Sequence, residues 1–357
     1  MTALRKRALA WLAQEWLLTG AVLALALSSA LFGRLPRFSG DELEVLFLLW
    51  LLFAAVKGVE QSGLLTWVSR RLERGGWVAL KLALITFFLA ALVTNDVALV
   101  VIVPLTLAMQ TGRKGALVIL EAFAANAGSA LTPFGNPQNL YLYWHYGVTP
   151  LSFFAAILPF AAAFLLVLAA AAATIRTGDG PPAAPVGSVS RSAALYLLLL
   201  LALVLVVLRV LPFYFAYGVA FGLLLFGRQA LKVDYALLLT FLAFFGLVDN
   251  LRWALEPFIQ HPAHVFLTAA LTSQLIGNVP AALLLAEFTD NWKALLWGVS
   301  VGGFGSLWAS FANLIAYRHY IVYQDDPNKR RRFTRLFLLY GYALFGLGVS
   351  LFWIFYN

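Results

Sequence analysis

Cysteine is absent from this sequence, and charged residues are scarce. None of the 357 residues is cysteine and only 11% are charged, whereas about a quarter of the residues in a soluble domain are charged. The lack of cysteine excludes disulfide bonds, thiolate metal sites and cysteine nucleophiles. Apolar residues make up 62% of the chain, more than a soluble fold can bury. The composition therefore predicts an integral membrane protein.

Long apolar runs account for this composition. A helix needs about 20 residues to cross a bilayer, and several runs reach or approach that length: Ala8 to Phe32, Leu43 to Val56, Leu151 to Ala173 and Phe333 to Tyr356. The metalloprotease motif His-Glu-x-x-His and the Walker loop of nucleotide-binding enzymes do not occur. We therefore predict an all-α polytopic membrane protein that is not an enzyme and carries no cofactor.

The basic residues indicate orientation rather than a nucleic-acid partner. The formal net charge is +9, but the lysines and arginines lie at the ends of apolar runs, where they favour the cytoplasmic side and attract membrane lipid. Arg5-Lys6-Arg7 and the run after it resemble a secretory signal, although an uncleaved first span is expected because the downstream chain is also embedded. We predict a bacterial-type inner membrane protein with a cytoplasmic N-terminus and an external C-terminus.

Charge placement also predicts the order of the membrane segments. Two halves, 1–175 and 193–357, are joined by a Gly/Pro/Ser-rich cytoplasmic linker at 176–192. The first half is predicted to contain spans at 10–32, 42–69 and 151–175, a re-entrant hairpin at 77–111 and a broken helix at 116–147. The second is predicted to contain spans at 193–208, 213–227, 235–252 and 334–355, a re-entrant hairpin at 264–289 and a broken helix at 294–321.

Short matches between the halves indicate a duplication. Asn139-Leu-Tyr-Leu-Tyr-Trp-His-Tyr146 aligns with Asn313-Leu-Ile-Ala-Tyr-Arg-His-Tyr320. Three further pairs follow the same order: Gly128-Ser129 with Gly305-Ser306 across a three-residue gap, 93–98 with 276–281, and 59–61 with 248–250. Because charge places the first hairpin inside and the second outside, the two repeats are predicted to have inverted topology, which is typical of secondary transporters.

The predicted breaks supply the polar chemistry. Unwound backbone is tolerated at membrane depth only where it is buried in protein or lines a polar cavity. The N-termini of half-helices attract anions and their C-termini attract cations. Na⁺ prefers oxygen ligands, which six side chains at the breaks offer: Thr94, Asn95, Asp96, Asn136, Asn278 and Ser310.

At these residues the sequence resembles the ion transporter superfamily. That group contains divalent-anion/sodium symporters, citrate-transporter-like permeases, arsenite efflux permeases and one class of Na⁺/H⁺ antiporters. The resemblance is carried by four segments: Thr94-Asn95-Asp96 and the run to Pro104, Thr132–Asn139, Leu275–Ala281 and Ser310–Asn313. It implies a transport domain and a scaffold, a small anionic substrate held between the hairpin tips, cations behind each tip, an elevator mechanism and a homodimer.

Carried onto this chain, the resemblance and the breaks predict the site residues. The substrate is expected at Thr94, Asn95, Asn136, Pro137, Gly277, Asn278, Val279, Ser310 and Asn313. The coupling ion, Na⁺ or H⁺, is expected at Asn95, Asp96, Gly135 and Asn278, with a possible Na⁺ site at Thr94, Asn95 and Asn278.

The sequence departs from the dicarboxylate symporters at both tips. Asp96 stands where those symporters have threonine, and Gly277 and Val279 replace two hydroxyl residues. The Asn-Asp tip is more similar to the arsenite permeases and to a broad group of anion permeases. An ionised carboxylate beside an anion is unfavourable without compensation, so Asp96 either couples the ion or caps its own helix. The leading hypothesis is an anion transporter, and the alternatives are a Na⁺/H⁺ antiporter and an arsenite efflux permease.

Other polar residues within the spans have two interpretations each. Lys57 and Glu60 are spaced to form an ion pair, which serves either scaffold structure or the transport cycle. His145 and His319, at equivalent repeat positions, either anchor the chain at the membrane interface or relay protons.

Overall fold

The computed structural model describes residues 15–72, 76–177, 189–255 and 264–356. Every regular element within these ranges is a helix. The start of the predicted first span, within 1–14, and most of the predicted linker, 178–188, lie outside the described residues. The all-α polytopic membrane architecture predicted from the sequence is confirmed; the inverted orientation of the two repeats stays a prediction.

The described helices fall into two series. The first consists of Trp16–Phe32, Gly40–Gln61, Leu64–Leu72, Val78–Leu92, Asn95–Ala108, Lys114–Ser129, Pro137–His145 and Pro150–Ala173. The second consists of Ser192–Val207, Tyr214–Phe226, Tyr235–Leu255, Val265–Ile276, Asn278–Ala286, Trp292–Gly302, Phe311–Tyr323 and Pro327–Tyr356, with a short 3-10 helix at Leu307–Ala309. Two of them, Pro150–Ala173 and Pro327–Tyr356, are by themselves long and apolar enough to cross a membrane.

The described helices include two hairpins and two broken helices. The first hairpin is Val78–Leu92 with Asn95–Ala108, and the second hairpin is Val265–Ile276 with Asn278–Ala286. The first broken helix is Lys114–Ser129 with Pro137–His145, and the second is Trp292–Gly302 with Phe311–Tyr323. The connections at 93–94 and 277 are the first and second tips; those at 130–136 and 303–310 are the first and second breaks.

The predicted span 42–69 differs from the structure, because it consists of two helices. The helix Gly40–Gln61 ends before Gly63, whose φ of +77° places it in a left-handed conformation that favours glycine. The Ser62 hydroxyl then accepts a hydrogen bond from the Leu64 backbone N–H at 3.3 Å. This local bond starts the shorter helix Leu64–Leu72 in a new direction, which a continuous apolar run could not reveal.

Small residues allow each hairpin to pack closely on its own broken helix. A Cβ atom added to Gly128 would lie 2.0 Å from the carbonyl oxygen of Phe87, and one added to Gly302 would lie 2.5 Å from the Cβ of Ser273. Close approach of backbones through small residues is how helices associate where lipid supplies no hydrophobic driving force. Both halves therefore use a glycine of the broken helix at the same place.

The remaining helices, which are the outer helices, pack on partners from the other half. Trp16–Phe32 packs on Tyr235–Leu255, and Ser192–Val207 packs on Gly40–Gln61. The hairpins and broken helices also cross: Asn95–Ala108 packs on Phe311–Tyr323, and Asn278–Ala286 packs on Pro137–His145. The two halves are consequently interleaved rather than side by side, which brings both tips and both breaks to the centre.

Two ion pairs involve residues of the outer helices. Lys57 and Glu60 form the predicted ion pair, at 3.0 Å. Asp249 pairs with Arg34 at 2.7 Å and so joins Tyr235–Leu255 to the loop after Trp16–Phe32. Because the two halves are interleaved, the partner of Asp249 lies 215 positions away in the sequence.

The glycine contact generates a stability prediction. Gly128→Ala is expected to destabilise the protein by about 1–3 kcal/mol, because the added methyl group overlaps the Phe87 backbone, which cannot move like a flexible side chain. Thermal unfolding in detergent measures the effect. Gly218→Ala is the matched control, since no atom lies within 4 Å of its added Cβ. Equal melting temperatures for the two variants would contradict the packing described.

Candidate functional site

One asparagine at each break pairs the carbonyl groups that the break frees, and it is the clamp of that break. The Asn139 side-chain amide donates to the carbonyl oxygens of Ser129, Ala130 and Thr132, at 3.0–3.2 Å. The Asn313 amide donates to those of Gly303 and Ser306, at 3.0 and 3.1 Å. Both asparagines are fully buried. The carbonyl groups that the helix break frees are thereby paired inside the protein, as an apolar environment requires.

These bonds correct the predicted alignment of the halves. The pairs 129 and 303, 132 and 306, and 139 and 313 are equivalent, all at the constant spacing of 174 that the His-Tyr segments showed. The gapped match of Gly128-Ser129 with Gly305-Ser306 is therefore wrong: Gly128-Ser129 corresponds to Gly302-Gly303, without a gap. Two short glycine-containing pairs three residues apart cannot be told apart by sequence similarity.

Each break is also tied to its own hairpin. In the first half, the Thr132 hydroxyl donates to the Ala91 carbonyl at 2.7 Å, and the Asn95 N–H donates to the Gly135 carbonyl at 3.1 Å. In the second half, the Gln274 amide donates to the carbonyls of Gly302 and Phe304, at 2.8 and 3.0 Å. Tip and break are therefore positioned as one unit in each half.

A cavity of about 50 Å³ lies where these units meet. The N-termini of four helices face it, namely those that begin at Asn95, Pro137, Asn278 and Phe311. Its lining residues come from both tips, both broken helices and one outer helix: Asn95, Asp96, Pro137, Gln138, Leu237, Thr240, Phe241, Phe244, Ile276, Gly277, Asn278, Val279, Pro280, Trp308, Ser310, Phe311 and Leu314. The four N-terminal ends together give the cavity a positive potential.

Side chains cap these helices unequally in the two halves. Thr94 caps the helix that begins at Asn95, and Asn136 caps the helix that begins at Pro137. The corresponding cap positions of the second half, Gly277 and Ser310, provide no side-chain cap. The second half thus leaves its N-terminal ends open to a ligand, whereas the first half satisfies part of its own.

Asp96 is the acidic group of the cavity. Its Oδ1 is buried and has no hydrogen-bond partner within the part of the chain that the structure describes, and the cap of its helix is the Thr94 hydroxyl instead. The described lining residues include no lysine, arginine or histidine. No basic side chain of the described lining pairs with this carboxylate, so its charge is offset only by the helix N-terminal ends unless a proton or a cation binds to it. The interpretation of Asp96 as a helix cap is therefore not supported.

The structure separates the predicted site residues into two groups. Six of the nine predicted substrate residues line the cavity: Asn95, Pro137, Gly277, Asn278, Val279 and Ser310. The other three, Thr94, Asn136 and Asn313, lie behind it, two as caps and one as a clamp. Among the predicted coupling residues, Asn95, Asp96 and Asn278 line the cavity, while Gly135 contributes its carbonyl to the first tip.

Three parts of the site were missed by the sequence analysis. The outer helix Tyr235–Leu255 contributes Leu237, Thr240, Phe241 and Phe244, which share one face by helical spacing and of which only Thr240 is polar. Gln138 lies beside the predicted Pro137. Asn126, a single amide in an apolar stretch of small residues, could have been noticed because polar residues inside membrane helices are usually functional.

A hydrolase-like spacing also occurs in the chain. Gly298-Val-Ser300-Val-Gly302 matches the nucleophile motif Gly-x-Ser-x-Gly. Ser300, however, lies inside the helix Trp292–Gly302 and is 6% exposed, and its hydroxyl bonds to none of the described residues. The two glycines serve as packing contacts with Phe266 and Ser273. The motif is therefore structural.

Comparison with known proteins gives a consistent result. The profile of the family described as citrate transporters matches residues 8–316. An uncharacterized transporter of Methanocaldococcus jannaschii is 33% identical over 288 residues, which cover 78% of this chain and 81% of the relative. The inner membrane protein YbiR of Escherichia coli is 36% identical over 294 residues, covering 75% of this chain and 77% of the relative.

A third similarity is local. The silicon efflux transporter LSI3 of Oryza sativa subsp. japonica is 33% identical over 99 residues. The match covers 27% of this chain and 20% of the relative.

The clamps at the breaks lead to a second stability prediction. Asn139→Ala leaves the carbonyls of Ser129 and Ala130 without a donor, and Asn313→Ala removes one of the two hydrogen bonds that each of the Gly303 and Ser306 carbonyls accepts. Each variant is expected to lose about 1–3 kcal/mol of stability. Both variants are expected to melt well below the parent protein in detergent. Asn328→Ala, at an exposed position, is the control and should melt with the parent. A parent-like Asn139→Ala variant would show that the first break does not depend on its clamp.

Proposed function

This chain belongs to the citrate transporter family, and from that premise we propose that it moves a small anion across the membrane, coupled to Na⁺ or H⁺. It is a membrane transporter and not an enzyme, as its family and relatives establish. In this proposal the substrate is a carboxylate or an inorganic oxyanion, and access to it alternates by an elevator movement coupled to the ion.

The convergence of four helix N-termini on one cavity carries the proposal. Each N-terminus contributes a positive potential equivalent to about half an elementary charge, and such ends bind anions through their backbone N–H groups. The Asn278 side chain adds an amide that is buried, faces the cavity and makes no hydrogen bond with the described residues. An anion bound there receives donors chiefly from the second half, because the first half caps its own helix ends and Pro137 has no backbone N–H.

Asp96 provides a physical reason for coupling. An anion and an ionised Asp96 in the same small cavity repel each other, so that the anion binds well only after a proton or Na⁺ has joined the carboxylate. Binding of each ligand then favours binding of the other, because the two affinities are linked. This assignment needs no additional basic residue in the cavity.

The contact with the outer helix supports the elevator movement. Leu237, Phe241 and Phe244 form an apolar wall on one side of the cavity, and such a surface makes no specific polar bonds that sliding would have to break. In this proposal the hairpins and broken helices move as one body past the outer helices, in the inner membrane, as a homodimer. Inverted repeats would give the two end states similar geometry.

A second candidate is the efflux of a neutral hydroxylated oxyacid, such as undissociated arsenite. It is favoured by the carboxylate in a cavity of about 50 Å³, since a neutral molecule that donates hydrogen bonds is compatible with an ionised Asp96. The local similarity to a silicon efflux transporter agrees with this chemistry. A Na⁺/H⁺ antiporter, the remaining alternative, needs no such ligand.

A ligand panel tests the proposal directly. The thermal stability of the purified protein is measured with citrate, succinate, sulfate, phosphate and arsenite, each in Na⁺ and in K⁺ at two pH values. A coupled anion transporter is expected to be stabilised by one anion only in Na⁺ or only at the lower pH. Stabilisation by arsenite alone, without an ion requirement, favours the oxyacid. An effect of Na⁺ or pH with no effect of any solute favours the antiporter.

Removal of the carboxylate charge tests the coupling. Asp96→Asn keeps the shape of the side chain but needs no proton or cation, so the stabilising anion is expected to bind independently of Na⁺ and pH. Asp325→Asn, at an exposed position, is the matched control and should retain the ion dependence. If Asp96→Asn retains it as well, the coupling site lies elsewhere.

Asn278 and Asn95 test the location of the substrate. Loss of a hydrogen bond to a charged ligand costs about 1.5–3 kcal/mol, so Asn278→Ala and Asn95→Ala should each weaken anion affinity about tenfold or more. The two variants should remain folded, as judged by size-exclusion chromatography. Unchanged affinity in both would remove the substrate from the tips.

A further inference from the structure

Asn126 connects the two halves behind the cavity. It lies in the helix Lys114–Ser129, is 6% exposed and does not line the cavity itself. Its Oδ1 accepts hydrogen bonds from the Ser310 hydroxyl at 2.9 Å and from the Asn95 amide at 3.5 Å. Its Nδ2 donates to Asn313 Oδ1 at 2.8 Å and to the Gly303 carbonyl at 3.3 Å.

These partners belong to different halves of the chain. Asn95 is at the first tip, whereas Ser310, Asn313 and Gly303 all belong to the second break. Two of them, Asn95 and Ser310, line the cavity on opposite repeats. Among the described residues, Asn126 is thus in direct contact with both a cavity residue of the first half and the clamp of the second.

The internal duplication shows that this link is not a requirement of the fold. At the spacing of 174, the counterpart of Asn126 is Ser300, and the counterpart of Asn313 is Asn139. The Ser300 hydroxyl and Asn139 Oδ1 are both buried, and neither has a hydrogen-bond partner among the described residues. The bond that would correspond to Asn126–Asn313, from Ser300 to Asn139, is therefore not formed, although the two halves contain matching helices.

We propose that Asn126 is a positioning residue that fixes the first tip to the second break, so that the cavity is held at one geometry across the two halves. This inference rests on the proposed function of the cavity. The side chains that make these bonds are buried, and hydrogen-bonded networks inside a protein are stronger than in water and rigid when fully satisfied. A shift of the first tip is transmitted through Asn126 to Ser310 and to the Asn313 clamp.

Hydrogen exchange followed by mass spectrometry tests the link without any substrate or coupling ion. Asn126→Ala is expected to raise amide exchange about tenfold at two separate places, 93–98 and 303–313, since the loss of a bond of about 1.5 kcal/mol changes local opening by that factor. Ser300→Ala is the matched control at the equivalent repeat position and should change exchange in neither segment by more than twofold.

A second variant separates positioning from simple packing and covers a failure of Asn126→Ala to fold. Asn126→Asp has nearly the same shape and still accepts bonds from Ser310 and Asn95, but as a carboxylate it cannot donate to Asn313 or Gly303. After correction for intrinsic exchange, its fast exchange at 303–313 should return toward that of the parent as the pH falls and the carboxyl regains a proton. A packing defect would not depend on pH in this way.

Three results would overturn the inference: exchange changes confined to 114–129, an equal effect of Ser300→Ala, or a pH-independent Asn126→Asp variant. None of these bears on whether an anion binds, because no ligand is present in the experiment. Conversely, if the ligand panel finds no anion while Asn126→Ala loosens both segments, the proposed substrate fails and the link between the halves remains.

Discussion

The structure depends on one constraint, which is that backbone groups freed by a helix break must be paired inside the protein. Water is not available at membrane depth, and an unpaired carbonyl there costs several kcal/mol. Asn139 and Asn313 meet this requirement with the same bonds at the same spacing. Because each clamp is rigid, the helix that follows it starts at a fixed point, and its N-terminal end becomes available as part of a site.

Because the two halves are interleaved, four helix N-termini meet at one cavity. Each hairpin packs on the broken helix of its own half through a glycine, and its outgoing helix packs on the broken helix of the other half. Neither half alone encloses the space between Asn95 and Asn278. The same arrangement places a single carboxylate, Asp96, among positive helix ends without any basic side chain from the described lining. The electrostatic potential in this cavity is consequently set by backbone dipoles and by Asp96.

The halves are alike in architecture and different in chemistry. The first half caps its helices with Thr94 and Asn136, whereas the second half leaves the equivalent positions without side-chain caps. Asn126 reaches across to the second break, while its counterpart Ser300 reaches no partner. Two halves with matching helices thus differ at the cavity, where the first half carries the acidic group and the second half carries the uncapped helix ends.

The sequence by itself determined the membrane class, the helical fold, the positions of the tips and breaks and most of the lining residues on them. Apolar run length and the Asn, Gly and Pro residues at helix breaks are local features of the sequence, so they can be recognised without a structure. The correct repeat register, the division of span 42–69 at Gly63, the partner of Asp249, the apolar wall at Phe241 and Phe244 and the role of Asn126 were decided only by tertiary structure. Each of these depends on contacts between residues far apart in the chain, and neither hydrophobic periodicity nor motif spacing carries that information.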